Sequence, residues 1–115
     1  MIAPNRAEKI LIFKWQWLEL VLDGRKTLEI RSMALRSGRY FLGFKGEIFG
    51  WAEIGNPMKI ESVEQWEALR RQHLVALEAL PYRKTYGLPI LRVKRLRKRI
   101  AFAHPRGAIG IVRLQ

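Results

Sequence analysis

Apolar and polar positions recur with two different periods along the first half of the chain. Residues 9–13 form a short, branched apolar run, which predicts a buried strand. Residues 14–23 place apolar side chains at helical spacing, and Gly24 follows where a left-handed residue ends many helices. Three β-prone segments, separated by glycines and turn residues, come next: residues 27–32, 40–44 and 47–54. Three strands in succession indicate a curled sheet or a barrel.

A second helix is predicted to begin after Ser62. Gln65 follows three residues later, and this pair is typical of a capping box. Apolar side chains then fall on one helical stripe that also includes His73 and continues to residue 77, so this face should pack against the sheet. Pro81 is predicted to end the helix.

Two more strands complete the predicted fold. Residues 86–93 are β-prone, and Pro89 within them predicts an edge strand or a bulge. A basic run at 92–99 and a short apolar segment separate them from a last strand at 108–114. We therefore expect an α+β fold with roughly six short strands in a small barrel, flanked by two or three helices.

The composition fits a single domain spanning residues 1–115. Of the 115 residues, 49% are hydrophobic and 10% are aromatic, which is enough apolar surface for one core. The absence of cysteine excludes a disulfide, a thiol nucleophile and a cysteine-based zinc site. Two histidines without a carboxylate cluster do not make a metal site, and we expect no metal and no cofactor.

No segment of the sequence predicts a membrane anchor. The apolar run at residues 10–13 is ended by Lys14, so it is far shorter than a membrane span and lacks the arrangement of a signal peptide. We expect a cytoplasmic protein with no membrane partner.

Charge is distributed very unevenly along the chain. There are 22 basic and 10 acidic residues, a formal net charge of +12. All 10 acidic residues lie at or before Glu78, whereas residues 79–115 carry 10 basic residues and no acidic one. A segregated positive field attracts polyanions, so a nucleic acid is the predicted partner. A merely solubilising surface is the alternative, but solubility does not require that carboxylates be absent from a third of the chain.

The segment GRKTLEIR at residues 24–31 resembles the G-x-K-x-x-E-x-R signature of the ASCH family. The segment FGWAEIG at residues 49–55 resembles the strand that follows in ASCH domains, and residues 86–114 are similar to the closing part of the family. The resemblance covers about residues 8–114. It implies a PUA-like β-barrel with a cleft beside the first helix, and a role in recognising RNA or nucleotides.

The chemistry of the signature residues agrees with a site for a phosphate or a nucleobase. Gly24 permits a left-handed turn, from which Arg25 and Lys26 project. Glu29 and Arg31 lie two apart on one face of a strand, where Glu29 can hold Arg31 in a bidentate ion pair or accept from a base amino group. Arg31 can bind a phosphate with its fork of donors. For Glu29 and Arg31, the alternative to a binding role is an ion pair that merely closes the mouth of the barrel. For Lys26, the alternative is an exposed lysine that is favoured by the dipole at the C-terminus of the preceding helix.

Further candidates for nucleic-acid binding lie in the last third of the chain. Phosphate contacts are predicted for the basic run and for two residues before the last strand: Arg92, Lys94, Arg95, Arg97, Lys98, Arg99, His104 and Arg106. Val93 and Leu96 within the run should pin it to the core. Candidate stacking surfaces for unpaired bases are Tyr40, Phe44, Tyr82, Tyr86 and the four tryptophans, and Tyr86 is the first candidate for the cleft. Most aromatic side chains should be core, and Trp15, Trp51 and Trp66 should be mainly buried.

These observations predict an RNA-binding domain, with DNA as a possible ligand and no obligate protein partner. The alternative is an enzyme, because the resemblance extends to small ASCH proteins that include a ribonuclease and an amidohydrolase acting on acetylated cytidine. If the protein is an enzyme, Lys26 and Glu29 are the candidate catalytic residues. The amidohydrolase has a threonine where this chain has Glu29, so the hydroxyl of that chemistry is missing, and we expect the carboxylate to keep Lys26 charged rather than nucleophilic, which argues against deacetylation by the same mechanism. A ribonuclease would use Lys26 and a tyrosine without a metal. A protein-interaction module built on the tryptophan-rich first helix would leave the basic C-terminal third unexplained.

Overall fold

Seven strands and three helices follow one another in the computed structural model, which describes residues 9–103 and 110–113. In chain order they are β1 (Lys9–Ile12), α1 (Trp15–Leu22), β2 (Leu28–Arg31), β3 (Gly38–Phe44), β4 (Glu47–Ile54), β5 (Met58–Ile60), α2 (Val63–Ala68), α3 (Arg70–His73), β6 (Thr85–Ala101) and β7 (Ile111–Arg113). The predicted α+β class is confirmed. The strand β5, which has only 3 residues, was not predicted.

The strands form one mixed sheet that curls into a half-barrel. Its order is β2-β6-β4-β3-β1-β7, and β5 pairs with β6 beside β2. Strands β1 and β3 are parallel, and the other described pairs are antiparallel. The sheet therefore brings β2, which carries the GRKTLEIR signature, against β6, which carries the basic run.

One strand, β6, spans 17 residues and includes both the predicted strand at 86–93 and the basic run. It lies inside the sheet, between β4 on one side and β2 with β5 on the other, so the expectation of an edge strand is wrong. Pro89 is tolerated because it has no partner in the pairing with β4, where the register shifts close by and skips Leu91, so its missing N–H interrupts no regular part of that pairing. Its carbonyl accepts from Gly55. The alternative expectation, a bulge, is the one that the structure shows.

The first helix closes one face of the sheet. Leu18, Val21 and Leu22 of α1 are buried against inward side chains of β1, β3, β4 and β6. The helix ends as predicted, because Gly24 adopts a φ of +78° and donates to the carbonyl of Val21. This turn directs the following residue, Arg25, outward and Lys26 inward.

The second predicted helix begins where expected but is shorter. Ser62 accepts from the backbone N–H of Gln65 at 3.0 Å, which confirms the predicted cap. The helix is interrupted at Leu69 and ends at His73, before Leu74 with its left-handed φ of +60°. The prediction that it continues to Pro81 is wrong, because the His73 ring accepts from the Val75 N–H and so replaces a helical hydrogen bond.

Candidate functional site

An open cavity of about 590 Å³ lies where the end of β1, the start of α1, strand β2 and the loop of residues 74–84 meet. The GRKTLEIR signature supplies three of its charged side chains, Lys14 supplies a fourth, and the other elements supply its walls. The lining residues are Ile12, Phe13, Lys14, Trp17, Lys26, Glu29, Ile30, Arg31, Val75, Leu77, Pro81, Tyr82 and Gly110. The cleft that the resemblance implied, beside the first helix, is thus present.

Lys26 is a buried cation in this cavity. Its side chain is only 1% exposed, and its ammonium donates to the backbone carbonyl of His73. The Nζ atom lies 4.6 Å from the centre of the Trp17 ring and 3.9 Å from Oε1 of Glu29. One hydrogen bond and one indole face therefore replace most of the water around this charge.

Glu29 and Arg31 form an ion pair beside Lys26. Arg31 Nε donates to Oε2 of Glu29 at 2.7 Å, and Arg31 Nη2 donates to the carbonyl of Ile12 at 2.8 Å. The guanidinium lies 5.0 Å from the centre of the Phe13 ring. The bidentate pair that the sequence suggested does not form, because only Oε2 of Glu29 binds Arg31 while Oε1 is turned towards Lys26. Arg31 is held in place yet lines the cavity, so it can still present donors to a ligand.

Burial dominates the electrostatics of Lys26. Desolvation lowers its pKa from 10.5 to about 8, although the Glu29 carboxylate raises it, and Arg31 lowers it further. We expected Glu29 to keep Lys26 charged, but Glu29 is engaged mainly with Arg31 and its effect is the smaller one. At neutral pH most molecules still carry the ammonium, with a minority in the neutral form.

The walls of the cavity include Val75 and Leu77 of the 74–84 loop and Phe13 after β1, which the sequence did not single out as site residues. Tyr82 of the same loop and Trp17 of α1, both among the candidate stacking residues, line the cavity as well. The loop is fixed by bonds to its backbone. The Trp66 indole donates to the carbonyl of Leu77 at 2.8 Å, and the Arg70 guanidinium donates to the carbonyls of Val75 and Leu77.

His73 supports both the 74–84 loop and Lys26, whose ammonium donates to the His73 carbonyl. Its ring is fully buried and stacked on Trp66, with 3.8 Å between the ring centres. Nδ1 accepts from the Val75 N–H at 2.9 Å, so Nε2 carries the proton and donates to the carbonyl of Trp66. Burial lowers the pKa of this imidazole, which keeps it neutral. As predicted, His73 is a packed, hydrogen-bonded side chain.

The remaining predicted site residues lie outside the cavity. Gly24 shapes the turn, and Arg25 is exposed and lies 3.5 Å from Asp23. Tyr86 does not line the cavity but stands opposite Arg31 in the pairing of β6 with β2, half-buried. His104 and Arg106 lie outside the described residues.

The basic run is a separate feature of β6. All six cations of the run are exposed: Arg92, Lys94, Arg95, Arg97, Lys98 and Arg99. Two have acidic partners, since Arg95 binds Asp23 at 2.9 Å and Arg99 lies 3.5 Å from Glu47. Val93 and Leu96 are half-buried against the core, as predicted. The run is therefore an exposed, positively charged part of a strand within the sheet and not part of the cavity wall.

The three tryptophans expected to be buried are covered to different extents. Trp66 is fully buried, and Trp51 is half-buried with the guanidinium groups of Arg39 and Arg92 at 3.9 Å and 5.5 Å from its ring centre. Trp15 is 40% exposed, so the expectation of burial is wrong there. It is the first residue of α1 and precedes the positions that the helix buries.

The described residues contain no group of three or more histidine, cysteine or acidic side chains arranged to hold a metal ion. Within the same residues, no helix is long and apolar enough to cross a membrane. The charged side chains that line the cavity are three cations, Lys14, Lys26 and Arg31, and one carboxylate, Glu29.

Sequence comparisons and structural comparisons give different results for this chain. No family model and no curated protein matches the sequence. Solved structures do match the fold, and three of them are ASCH proteins from Zymomonas mobilis. A serine-to-alanine variant has a TM-score of 0.77 at 14% identity, and the match covers 98% of this chain and 92% of that one.

The other two structures match this chain to nearly the same extent as the first. One, an ASCH protein with no substitution named, has a TM-score of 0.74 at 13% identity, and the match covers 93% of this chain and 87% of that one. The other, a tyrosine-to-phenylalanine variant, has a TM-score of 0.74 at 14% identity and coverages of 96% and 91%. With the GRKTLEIR signature at the expected place beside the first helix, this chain has the PUA-like fold of an ASCH domain.

Proposed function

We propose that this protein binds single-stranded RNA and holds one unpaired nucleotide in the cavity beside α1. The observation that carries the proposal is the convergence of Lys26, Glu29 and Arg31 in a space walled by aromatic and apolar side chains. A nucleotide combines a flat aromatic base with an anionic phosphate, and this site offers a partner for each part. Its volume of about 590 Å³ is large enough for one nucleotide.

The two cations and the carboxylate would contact different parts of a nucleotide. Lys26 and Arg31 supply the positive charge that a phosphate requires, in a setting where little water competes. Arg31 binds Oε2 of Glu29, whereas Oε1 lies 3.9 Å from Lys26 and supplies an acceptor for a hydroxyl or an amino group of the ligand. A 2′-hydroxyl is such a group, which supports RNA over DNA.

The exposed cations of β6 supply the non-specific part of the affinity. Because β6 pairs with β2 through residues 86–89, the basic run continues from the strand that neighbours the signature. Contacts from its arginines and lysines to phosphates would position the strand without reading its sequence. A nucleic acid is also the partner that best accounts for a net charge of +12.

The test is the affinity of labelled single-stranded RNA and matched DNA for the wild type, Lys26→Met and the control Lys59→Met. Lys59 is an exposed lysine of β5 that pairs with Glu61, so its variant removes one charge outside the cavity. We expect Lys26→Met to weaken RNA binding by roughly tenfold or more, as befits a charge-assisted contact. Equal affinities for the two variants would contradict a role of the cavity, and no binding at low salt would contradict the whole proposal.

A hydrolase is the second candidate, and the low pKa of Lys26 is the observation that favours it. A pKa of about 8 leaves a minority of neutral amine at neutral pH, available to accept a proton or attack a carbonyl. Tyr82 lines the same cavity and supplies a phenol near the substrate. Ribonuclease activity and deacetylation of a modified nucleoside are the two reactions that this site would serve.

Whether the RNA remains intact distinguishes a binding protein from a hydrolase. The same RNA, incubated with the wild type and with Lys26→Met and resolved on a denaturing gel, remains intact if the protein only binds. Acetylated cytidine, followed by loss of the acetyl group, tests the second reaction. Turnover that disappears in Lys26→Met but persists in Lys59→Met would make this protein an enzyme.

A further inference from the structure

An exposed aromatic cluster lies on the other side of α1 from the signature residues. Trp15 contacts two half-buried phenylalanines of the sheet, Phe44 at the end of β3 and Phe49 in β4. The ring centres are 5.4 Å and 5.3 Å from Trp15, with interplanar angles of 49° and 63°. The two phenylalanine rings thus support the indole through a tilted and a T-shaped contact, while 40% of Trp15 remains open to solvent.

Cations surround this cluster. The Lys45 ammonium lies 5.5 Å from the centre of the Phe44 ring, and the Arg99 guanidinium lies 5.5 Å from the centre of the Phe49 ring. Both side chains are exposed. Glu47 is the acidic group of the cluster, and it lies 3.5 Å from Arg99. Arg97 and Lys98 are exposed next to Arg99 on β6, so the net charge around the cluster is positive.

The cluster is adjacent to the cavity along the chain. Lys14, which lines the cavity, immediately precedes Trp15, and Trp17 lines the cavity two residues later. The first turn of α1 therefore has the cavity on one side and the Trp15 cluster on the other. A strand that leaves the cavity past Lys14 would therefore approach the first residue of α1, Trp15.

We propose that Trp15, supported by Phe44 and Phe49, is a stacking surface for the base next to the one held in the cavity, with Lys45 and Arg99 contacting the intervening backbone. This inference rests on the proposed function and adds a second subsite to it. Alternating aromatic and basic side chains are the pattern by which proteins hold unpaired strands. A protein partner fits less well, because cations lie over both phenylalanine rings where an apolar surface would have to pack.

The experiment compares ligands of different length, since a single nucleotide reaches only the cavity. We would measure the affinities of uridine 5′-monophosphate and of uridine oligonucleotides of two and four units for the wild type, Trp15→Ala, Trp15→Phe, Lys45→Ala and Lys26→Met. The wild type should bind the oligonucleotides more tightly than the monophosphate. Trp15→Ala should weaken oligonucleotide binding roughly 5- to 100-fold, the range of one stacked base, and leave the monophosphate unchanged.

The other variants decide how the result is interpreted. Trp15→Phe should retain most of the affinity because it keeps an aromatic face, and Lys45→Ala should weaken only the oligonucleotides without disturbing a buried group. If Trp15→Ala and Lys45→Ala bind oligonucleotides as the wild type does while Lys26→Met does not, the second subsite is refuted and the cavity stands. If Trp15→Ala weakens the monophosphate equally, Trp15 acts through the position of α1, which also refutes the subsite. If no variant or wild type binds any of these ligands, both proposals fail.

Discussion

The charge on Lys26 reduces the stability of the folded protein at neutral pH. Its folded pKa of about 8 lies below the unfolded value of 10.5, so the folded state binds the proton less well than the unfolded chain does. The stabilising effect of a neutral Lys26 is therefore fully present above 10.5 and is lost as the pH falls through about 8. Retaining a charge at such a cost is typical of a functional group rather than a structural one.

Replacing Lys26 by methionine isolates this effect. The difference in free energy of unfolding between the wild type and Lys26→Met should shift by about 2 kcal/mol in favour of the wild type between roughly pH 8 and pH 10. Urea denaturation followed by circular dichroism measures it, and Lys59→Met serves as the control because its ammonium is exposed. A difference that does not change with pH would show that Lys26 titrates normally.

RNA binding should respond to the same titration. If the protonated ammonium holds a phosphate, the affinity of the wild type for RNA falls as the pH rises past about 8, well before ordinary lysines lose their charge. Fluorescence anisotropy with a labelled oligonucleotide checks this. In Lys26→Met the step near this pH should be missing, and a step that persists there would assign the titration to another group.

His73 makes the wall of the cavity sensitive to acid. Burial lowers its pKa below the ordinary 6.5, so its stabilising effect is present above that value and is lost as the pH falls through the lower, folded one. A protonated ring cannot accept from the Val75 N–H. We expect the Val75 amide to lose its protection from hydrogen exchange on acidification while amides of the core strand β4 keep theirs; uniform loss across both would contradict a local effect.

The role of a residue was predictable from the sequence where it depends on near neighbours along the chain. Gly24 with a left-handed turn and the Glu29–Arg31 pair follow from their spacing in the sequence. The partners of Lys26 did not, because Trp17 and His73 come from two different helices and His73 is 47 residues away. A pKa that burial controls requires knowledge of the three-dimensional contacts.

At the scale of elements, the close approach of β4 to β6 depends on Gly50. A Cβ atom there would lie 2.4 Å from the carbonyl oxygen of Lys94 and 2.9 Å from Leu22 Cδ2. Since the first of these atoms is backbone, relief requires the two strands to separate. The glycine also lies beside the register shifts of β4 against its neighbours.

Gly50→Ala should therefore lower the free energy of unfolding by about 1–3 kcal/mol, the usual cost of overpacking. Urea denaturation with matched m-values measures it. Gly55→Ala is the matched control, because its Cβ would meet only the exposed side chain of Leu91 at 3.3 Å, which can move. Equal midpoints for Gly50→Ala and the wild type would show that the strands yield easily.

Periodicity predicted most elements but not their lengths. The start of α2 at its Ser62 cap and the strand Glu47–Ile54 agree with the structure, because caps and alternation are local signals, and α1 begins one residue after its predicted start. The early end of α3 accompanies the bond from the Val75 N–H to the His73 ring, which periodicity does not reveal, and the central place of β6 depends on its pairing with β4, β2 and β5. Pro89 argued for an edge because the sequence does not show the register shift close to it.

At the scale of the whole molecule, the segregation of charge follows directly from the sequence, but its location does not. Both the signature and the basic run at residues 92–99 were predicted to bind a nucleic acid. In the structure, three charged side chains of the signature line the cavity, whereas the basic run is an exposed part of β6 outside it. Affinity and specificity should therefore respond to different substitutions.

Salt dependence tests this separation. Replacing both Arg92 and Lys94 by alanine should reduce the slope of log affinity against log salt by about 1.4, or roughly 0.7 for each phosphate that is no longer neutralised on a single strand. The ranking of RNA against DNA should not change, since these cations read neither the sequence nor the sugar. Binding isotherms across a salt series suffice, and an unchanged slope would place the bound strand elsewhere.

The length of β6 has a consequence for engineering. Its backbone pairs with β2 and β5 over residues 85–89 and with β4 further along, where Lys94 stands opposite Trp51, whereas Arg97 and Lys98 lie where the register against β4 shifts. The side chains of all three cations are exposed to solvent. Folding should therefore depend little on which polar residue stands at these three positions. A variant with glutamine at these three positions should adhere less to polyanions and keep its cavity intact. The ligand selectivity of the cavity and the non-specific adhesion of β6 could then be changed independently of each other.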